Sequence, residues 1–288
     1  MANKKVLDII RNVSPHWVGD GFPVRSLFSY NYQPEKSDPF LLLDYAGPAQ
    51  FPPAEKRRGV EVHPHRGFET VTIVYQGELA HRDSSGNAGS IGPGDVQWMT
   101  AASGVVHEEF HSERFTKNGG PFEVVQLWVN LPAKEKMSKP RYQELQAANI
   151  PTVELANGTG SLRIIAGEYA GTKGPARTVT PVNLWDLKLK AGSSVELPIP
   201  VGHTAMLVTQ KGKLLVNDTP VVAVELAHLD RTGDMLSLKS EMDSQALILT
   251  GEPLNEAIVG HGPFVMNTRE EISQAIRDYQ AGRMGTLA

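Results

Sequence analysis

The chain has 288 residues, a net charge of -4 and an apolar content of 40%, which together describe a soluble globular protein of about two domains. The lack of a basic surplus excludes nucleic-acid binding through bulk electrostatic attraction, so no direct nucleic-acid partner is expected. Because the sequence contains no cysteine, it excludes disulfides, thiolate nucleophiles and iron–sulfur clusters, and any metal must be held by His, Asp or Glu.

The first segment of the chain, MANKKVLDIIRN, carries charges at Lys4, Lys5, Asp8 and Arg11. It therefore lacks the apolar centre of a signal peptide. No stretch of the sequence approaches the ~18 consecutive apolar residues of a membrane helix. We expect a cytoplasmic protein without a membrane partner.

Short apolar segments bounded by turn-forming residues recur along most of the chain. Examples are FETVTIVYQG, FEVVQLWVNLP, TAMLVTQKGKLLVND and SQALILTGEP. The 27 Gly and 20 Pro residues are spread along the chain and mark turns between these segments. Many short strands at this spacing favour an all-β fold, either a sandwich or a barrel.

The order of strands and turns occurs twice. The first copy contains a strand at residues 71–75 and a Gly-Asp turn at 94–95, and the second contains a strand at 206–209 and a Gly-Asp turn at 233–234. A repeated order of this kind indicates duplication of one structural unit. We predict two similar antiparallel β-barrels.

A polar segment bracketed by prolines, residues 131–151, is the candidate linker between the two barrels. Residues 142–149 are predicted to be partly helical. The boundary falls near residue 140, and the predicted domains are 1–135, which carries the metal site, and 136–288, which does not.

The pattern changes to a helix near the C-terminus. Thr268 and Glu271 have the spacing of a capping box, and Gly282 is placed to end the helix. We predict one amphipathic helix after the second barrel, with its apolar face packed on a barrel or on the seam between the two. The apolar residues at helical intervals are Ile272, Ala275, Ile276 and Tyr279.

Five of the nine histidines lie between residues 63 and 111, and this clustering favours a metal site. Alternate residues of an extended strand share a face, so His63 and His65 point the same way, as do His107 and Glu109. If both strands face one barrel interior, they present three imidazoles and one carboxylate. Such a set suits a divalent first-row metal and leaves about two of six octahedral positions open.

Glu69 is an alternative ligand, or an acceptor beside the ligands. It shares the face of His63 and His65 if the strand stays regular through Gly67. A bulge at Gly67 would turn Glu69 aside.

The remaining histidines are assigned other roles. His111 shares the face of His107 and is expected at the rim, as an acid or base and not as a ligand. His81, in GELAHRDSSGN, lies beside a predicted turn and is expected to be exposed. The isolated histidines are expected to be structural: His16, His203, His228 and His261.

Apolar and aromatic residues near the histidines admit two interpretations. They could line a pocket for a flat aromatic substrate, and packing in the core explains them equally well. The residues concerned are Trp98, Met99, Phe110, Leu127 and Trp128.

Residues 63–110, HPHRGFETVTIVYQGELAHRDSSGNAGSIGPGDVQWMTAASGVVHEEF, resemble the hallmark segment of the pirin family, members of the cupin superfamily. DPFLLLDYAGP before this segment, and GEPLNEAIVGHGPFVMNTREEISQAI near the C-terminus, extend the resemblance over nearly the whole chain. The resemblance implies a bicupin, in which two antiparallel jelly-roll β-barrels face each other and only the N-terminal one holds a metal.

The resemblance also implies the ligands. They would be His63, His65, His107 and Glu109, whereas pirins retain the residue matching Glu69 without coordinating the metal. The expected cofactor is one divalent transition metal, with Fe(II) first. Manganese, cobalt, nickel, copper and zinc are alternatives, because one His/Glu set accepts several metals.

Two functions follow from the resemblance. Several pirins are similar to quercetinases, quercetin 2,3-dioxygenases that open the flavonol ring with O2 and release carbon monoxide; Glu109 would then be both a ligand and the general base for a flavonol-like substrate. The alternative is an iron-dependent, redox-sensing regulator that acts as a transcription cofactor through a protein partner. We expect the dioxygenase.

Overall fold

The structure is a computed structural model that describes residues 2–287, and it is mostly β. The strands of the first half of the chain are short and are separated by tight turns. They are β1 (Val6–Ile10), β2 (His16–Val18), β3 (Phe22–Ser29), β4 (Phe40–Phe51), β5 (Gly59–His65), β6 (Phe68–Gln76), β7 (Leu79–Asp83), β8 (Ala88–Ile91), β9 (Val96–Thr100), β10 (Val105–His111), β11 (Gly120–Asn130) and β12 (Arg141–Leu145).

The second half of the chain continues in the same way. Its strands are β13 (Thr152–Glu154), β14 (Gly160–Ala166), β15 (Glu168–Tyr169), β16 (Thr172–Lys173), β17 (Val182–Leu189), β18 (Ser194–Pro198), β19 (Thr204–Lys211), β20 (Lys213–Val216), β21 (Thr219–Val222), β22 (Glu225–Leu229), β23 (Met235–Ser240), β24 (Ser244–Gly251), β25 (Val259–His261) and β26 (Phe264–Met266).

Helices are few and short. Three 3-10 turns lie at Ala133–Glu135, Ala147–Asn149 and Ala156–Gly158. Across residues 2–287, no helix combines the length and the apolarity needed to cross a bilayer. The α-helices are α1 (Pro34–Ser37), α2 (Glu113–Asn118) and α3 (Arg269–Gln280).

Two compact units are each built from two stretches of chain. The N-terminal unit contains residues 14–147 and 254–287, and the C-terminal unit contains residues 2–13 and 148–253. The first strand, β1, pairs with β22 and therefore belongs to the C-terminal unit. The predicted domain ranges, 1–135 and 136–288, divide the chain at a single point and stay a prediction.

The N-terminal unit contains two large antiparallel sheets with an apolar core between them, and the small two-stranded sheet β25-β26. One sheet has the strand order β12-β9-β6-β11-β4-β3-β2, and the other β5-β10-β7-β8. Phe22 and Phe122 from the first sheet pack in one cluster with Leu79 and Ile91 from the second. Since the first seven residues of β6 are all buried, this central strand is covered on both faces.

The C-terminal unit repeats this arrangement. Its sheets have the orders β1-β22-β19-β24-β17-β14-β13 and β18-β23-β20-β21. Its interior is filled by apolar side chains, among them Trp185, Leu207 and Leu236. The predicted all-β, antiparallel character is confirmed in both units, and closure of each sheet pair into a barrel stays a prediction.

Helix α3 confirms the predicted C-terminal helix. The Thr268 hydroxyl accepts a hydrogen bond from Glu271 N at 3.1 Å, and the Glu271 carboxylate accepts one from Thr268 N at 2.9 Å, which is a capping box. Ile272 and Ala275 are buried in one cluster with Phe264. The apolar face of α3 therefore packs on the N-terminal unit.

The predicted partial helix over residues 142–149 is wrong for its first half. Residues 141–145 form β12, which pairs with β9 and places Tyr142 opposite Met99. Gln143 and Leu145 are buried and alternate with the exposed Glu144, which is the period of a strand. The pairing partner, β9, lies more than 40 residues away in the sequence, so local composition did not reveal it.

Candidate metal centre

Strand register brings the predicted ligands to one face of the four-stranded sheet. His63 on β5 lies directly opposite His107 on β10, and directly opposed residues of an antiparallel pair share a face. His65 and Glu109 lie two residues further along these strands, and so on the same face. The pairing of β10 with β7 is regular from His107 to His111, so the alternation along β10 is intact. This face is turned into the unit, since His65, His107 and Glu109 are buried.

Three imidazoles converge, and two of their ring nitrogens have no hydrogen-bond partner among residues 2–287. Nitrogen atoms of His63, His65 and His107 lie within 4.8 Å of one another, and the ring centroids of His63 and His107 are 4.3 Å apart. His65 Nδ1 and His107 Nε2 are buried and have no hydrogen-bond partner among residues 2–287. Buried polar atoms are normally paired, and a cation would satisfy these two. The donor set fits a divalent metal ion.

The protonation states of His65 and His107 suit metal binding. Burial lowers the pKa values of His65 and His107 well below the usual range, and the neighbouring His63 lowers them further. Both rings are therefore neutral near pH 7, as metal ligands must be. His63 Nδ1 donates to the Glu61 carbonyl oxygen at 2.7 Å, which leaves His63 Nε2 free to face the cluster.

Glu109 joins the centre through His107. Ligand atoms of His81, His107 and Glu109 form a second group within 4.8 Å of one another. Glu109 Oε1 lies 3.4 Å from the Thr72 hydroxyl. The structure thus brings His63, His65 and His107 into one group and Glu109 into the other, with His107 shared. Coordination of one ion by all four residues stays a prediction.

His81 is a site residue that sequence reasoning missed, and the prediction that it is exposed is wrong. It is 5% exposed, and its Nδ1 lies 3.3 Å from His107 Nδ1. Its ring stacks on Tyr142 with centroids 5.3 Å apart. Alternation along β7 places His81 and Asp83 on one face, but only the pairing of β7 with β10 shows that this face is the one with the ligands.

His111 is buried at the centre of an aromatic cluster, so its predicted place at the rim is wrong. It is 3% exposed, and its ring lies 4.6 Å from Phe51 and 4.9 Å from Phe122. Nε2 donates to the Gly21 carbonyl oxygen at 3.0 Å. Burial lowers the pKa of His111, and its hydrogen bond and ring contacts fix the side chain in the core.

Glu69 lies outside both groups of candidate ligands found in residues 2–287. The strand does not continue through Gly67, which has φ +92° and separates β5 from β6. Glu69 therefore belongs to the seven-stranded sheet, opposite Thr100. Its Oε1 accepts a hydrogen bond from the Thr100 hydroxyl at 2.7 Å.

Glu69→Gln is expected to change the pH dependence of stability. Burial raises the pKa of Glu69 from 4.5 to about 7, against the hydrogen bond from Thr100. Between these pH values the folded protein keeps a proton that the unfolded chain has lost, so stability falls as the pH rises, by about 3 kcal/mol in total. Urea unfolding of metal-free protein at pH 4.5, 6 and 8 measures this effect. The free energy of unfolding of the variant, relative to that of the wild type, should rise by this amount between pH 4.5 and pH 8. A difference that is constant with pH would contradict the prediction.

A pocket of about 390 Å³ opens onto His63, His65 and Glu109. Apolar side chains form most of its lining, and a few polar groups interrupt them, as in many small-molecule sites. Trp128, one of the aromatic residues singled out from the sequence, lies in this lining, whereas Trp98 and Met99 are buried in the core. The remaining lining residues are Val18, Phe22, Val24, Asp44, Ala46, Val60, Val124, Gln126, Gly262 and Pro263.

Comparison with known proteins places both halves of the chain in one family. Residues 21–129 match the family model described as pirin, and residues 184–285 match the model described as the pirin C-terminal cupin domain. The chain is 60% identical over 280 residues to a Pseudomonas aeruginosa protein provisionally named quercetin 2,3-dioxygenase, covering 97% of this chain and 98% of that protein. It is 40% identical to human pirin over 257 residues, covering 86% and 83% of the two chains.

A solved structure agrees with this grouping. The crystal structure of a quercetin 2,3-dioxygenase from Acinetobacter baumannii superposes with a TM-score of 0.96, at 53% sequence identity and over 100% of both chains. The mostly β architecture of the two units is therefore of the cupin type. Together, the sequence motif, the fold and these matches show that the chain belongs to the pirin family of the cupin superfamily.

Proposed function

We propose that the protein is a metal-dependent dioxygenase of the quercetin 2,3-dioxygenase type, which opens a flavonol ring with O2 and releases carbon monoxide. The observation that carries this proposal is a cluster of three converging imidazoles, two of which, His63 and His65, line an apolar pocket of about 390 Å³. The Pseudomonas aeruginosa and Acinetobacter baumannii proteins named for this reaction support the same class.

The proposed cofactor is one divalent first-row metal held by His63, His65, His107 and Glu109. Fe(II) is the first choice, and the same donors would also accept manganese, cobalt, nickel, copper or zinc. When bound, the ion would act as a Lewis acid that stabilises the negative charge of an ionised substrate hydroxyl.

Glu109 is the proposed general base. It lies in the pocket lining beside His107, where it can accept the proton of a flavonol 3-hydroxyl on a carboxylate oxygen. The hydroxyl of Thr72 lies 3.4 Å from Glu109 Oε1 and 2.7 Å from Gln126 Oε1. The single hydroxyl proton of Thr72 goes to the shorter contact, so Thr72 holds Gln126, a polar group of the same pocket, beside the carboxylate.

The pocket lining orients a flat substrate. The ring of Trp128 is packed against Phe68 with centroids 4.3 Å apart and against His65 at 5.3 Å, so its position is fixed. Asp44 and Gln126 are polar groups within this apolar lining, and they can hydrogen-bond phenolic hydroxyls. The apolar residues between them exclude water from the reacting ring.

Flavonol consumption with carbon monoxide release tests this proposal. Iron-reconstituted wild-type protein should consume the flavonol in air and not under nitrogen. His63→Ala should neither consume the flavonol nor release carbon monoxide, because it loses one of the three converging imidazoles. Wild-type protein that binds iron stoichiometrically but consumes no flavonol would reject the dioxygenase, and the redox-sensing regulator would take its place.

A further inference from the structure

Three side chains, His107, His81 and Asp83, are joined in a row that begins at the metal centre. His107 Nδ1 lies 3.3 Å from His81 Nδ1, and His81 Nε2 lies 3.3 Å from Asp83 Oδ2. All three residues are buried. The stack of His81 on Tyr142, with 11° between the ring planes, fixes the plane of the middle ring.

The hydrogen-bond partners of Asp83 show which atoms carry protons. Oδ1 accepts from Ser85 N at 2.8 Å, from Asn87 N at 3.0 Å and from the Asn87 side-chain amide at 3.1 Å. Oδ2 accepts from the same amide at 2.9 Å. The carboxylate therefore acts only as an acceptor, and His81 Nε2, which also faces Oδ2, must be the donor.

The proton on His81 Nε2 also determines which nitrogen of the predicted ligand His107 carries a proton. A neutral imidazole has one donor and one acceptor nitrogen, so His81 with its proton on Nε2 presents an acceptor at Nδ1. His107 Nδ1 must then carry a proton and donate it to His81. The lone pair of His107 consequently lies on Nε2, the buried nitrogen that has no partner among residues 2–287 and that remains to face His63 and His65.

We propose that His81 and Asp83 are positioning residues, which lock His107 in the Nδ1–H tautomer and so direct its Nε2 lone pair to the metal. The inference rests on the metal site of the proposed function. His81 is not a ligand in this arrangement, because its Nδ1 is occupied by the hydrogen bond from His107. A second hydrogen-bonded group of this kind orients a ligating histidine and raises its basicity.

Asp83→Asn tests the proposal, because it should reverse the direction of both hydrogen bonds that join Asp83, His81 and His107. The amide oxygen keeps the bonds from Ser85 N and Asn87 N, and the amide NH2 faces His81. The Asn87 side-chain amide, which donates to Oδ2 in the wild type, turns its oxygen toward the new NH2 group. His81 Nε2 must then accept, His81 Nδ1 must donate, and His107 becomes the Nε2–H tautomer without a lone pair for the metal. We expect Co(II) affinity, measured by competition with a chelator, to fall about 10- to 100-fold.

Histidine-ring 15N NMR of the metal-free protein reads the tautomers directly, without metal, substrate or O2. The wild type should show Nδ1–H at His107 and Nε2–H at His81, and Asp83→Asn should show both reversed. Asp95→Asn is the matched control, since Asp95 also accepts backbone bonds, from Gly92 N and Ala147 N. It should leave both the tautomers and the Co(II) affinity unchanged.

His81→Phe is the second variant, in case Asp83→Asn does not fold. It keeps the ring stack on Tyr142 but removes the acceptor for His107 Nδ1–H, so the Co(II) affinity should again fall about 10- to 100-fold. Nε2–H at His107 in the metal-free wild type would overturn the proposal, as would wild-type affinity in Asp83→Asn. Complete loss of Co(II) binding in His81→Phe would also overturn it, by making His81 a ligand. None of these readouts depends on flavonol turnover, so failure of the dioxygenase assignment is distinguishable.

Discussion

Glu109→Gln is expected to lower flavonol turnover per bound metal by about 10²- to 10⁴-fold, the range for loss of a positioned general base. Glutamine keeps the size of the side chain and its acceptor toward Thr72, but it cannot take up the substrate proton. The measurement is the rate of carbon monoxide release at saturating flavonol and metal, divided by the metal content of each sample. This normalisation separates proton transfer from the weaker coordination by an amide oxygen.

Glu108→Gln is the matched control for this experiment. Glu108 is the neighbouring residue on β10, it is also buried, and it pairs with Arg82 at 2.5 Å. Because adjacent residues of a strand point to opposite faces, Glu108 is directed away from the imidazoles, and its variant should keep wild-type turnover. Full turnover per bound metal in Glu109→Gln would show that Glu109 is not the base.

The sequence predicted the metal centre as far as alternation along single strands allows. That His63 and His65 share a face, and that His107 and Glu109 share one, follows from a period of two. The approach of His81 depends on the pairing of β7 with β10, which no local pattern encodes. Glu69 was left open because its position depended on the backbone at Gly67, and the positive φ there turns the chain into a different sheet.

The fold shows the same limit. Short apolar segments predicted the antiparallel sheets, and the spacing of Thr268 and Glu271 predicted the capped helix, since both signals lie within a few residues. The pairing of β1 with β22 joins residues more than 200 positions apart. Residues 141–145 carry a weak local preference, and the available edge of β9 decides that they form a strand.

Metal binding should stabilise the folded protein, because the unfolded chain does not hold the imidazoles together. His65 Nδ1 and His107 Nε2 are buried and have no hydrogen-bond partner within residues 2–287, and leaving them unpaired costs folding free energy. A metal at about 1,000 times its dissociation constant should raise the free energy of unfolding by about 4 kcal/mol. Urea unfolding of reconstituted and chelator-treated protein measures this difference.

His107→Ala is expected to abolish that metal-dependent stabilisation, because His107 is shared by both groups of candidate ligands. If a chelator lowers the free energy of unfolding of the variant and of the wild type by the same amount, the metal is held elsewhere. That result would contradict the site. His228→Ala is the matched control: His228 is also buried, but it lies in the C-terminal unit. Metal should stabilise His228→Ala as much as it stabilises the wild type, even if the metal-free variant is less stable. The gain in the free energy of unfolding depends on the ligands and not on the loss of a buried imidazole.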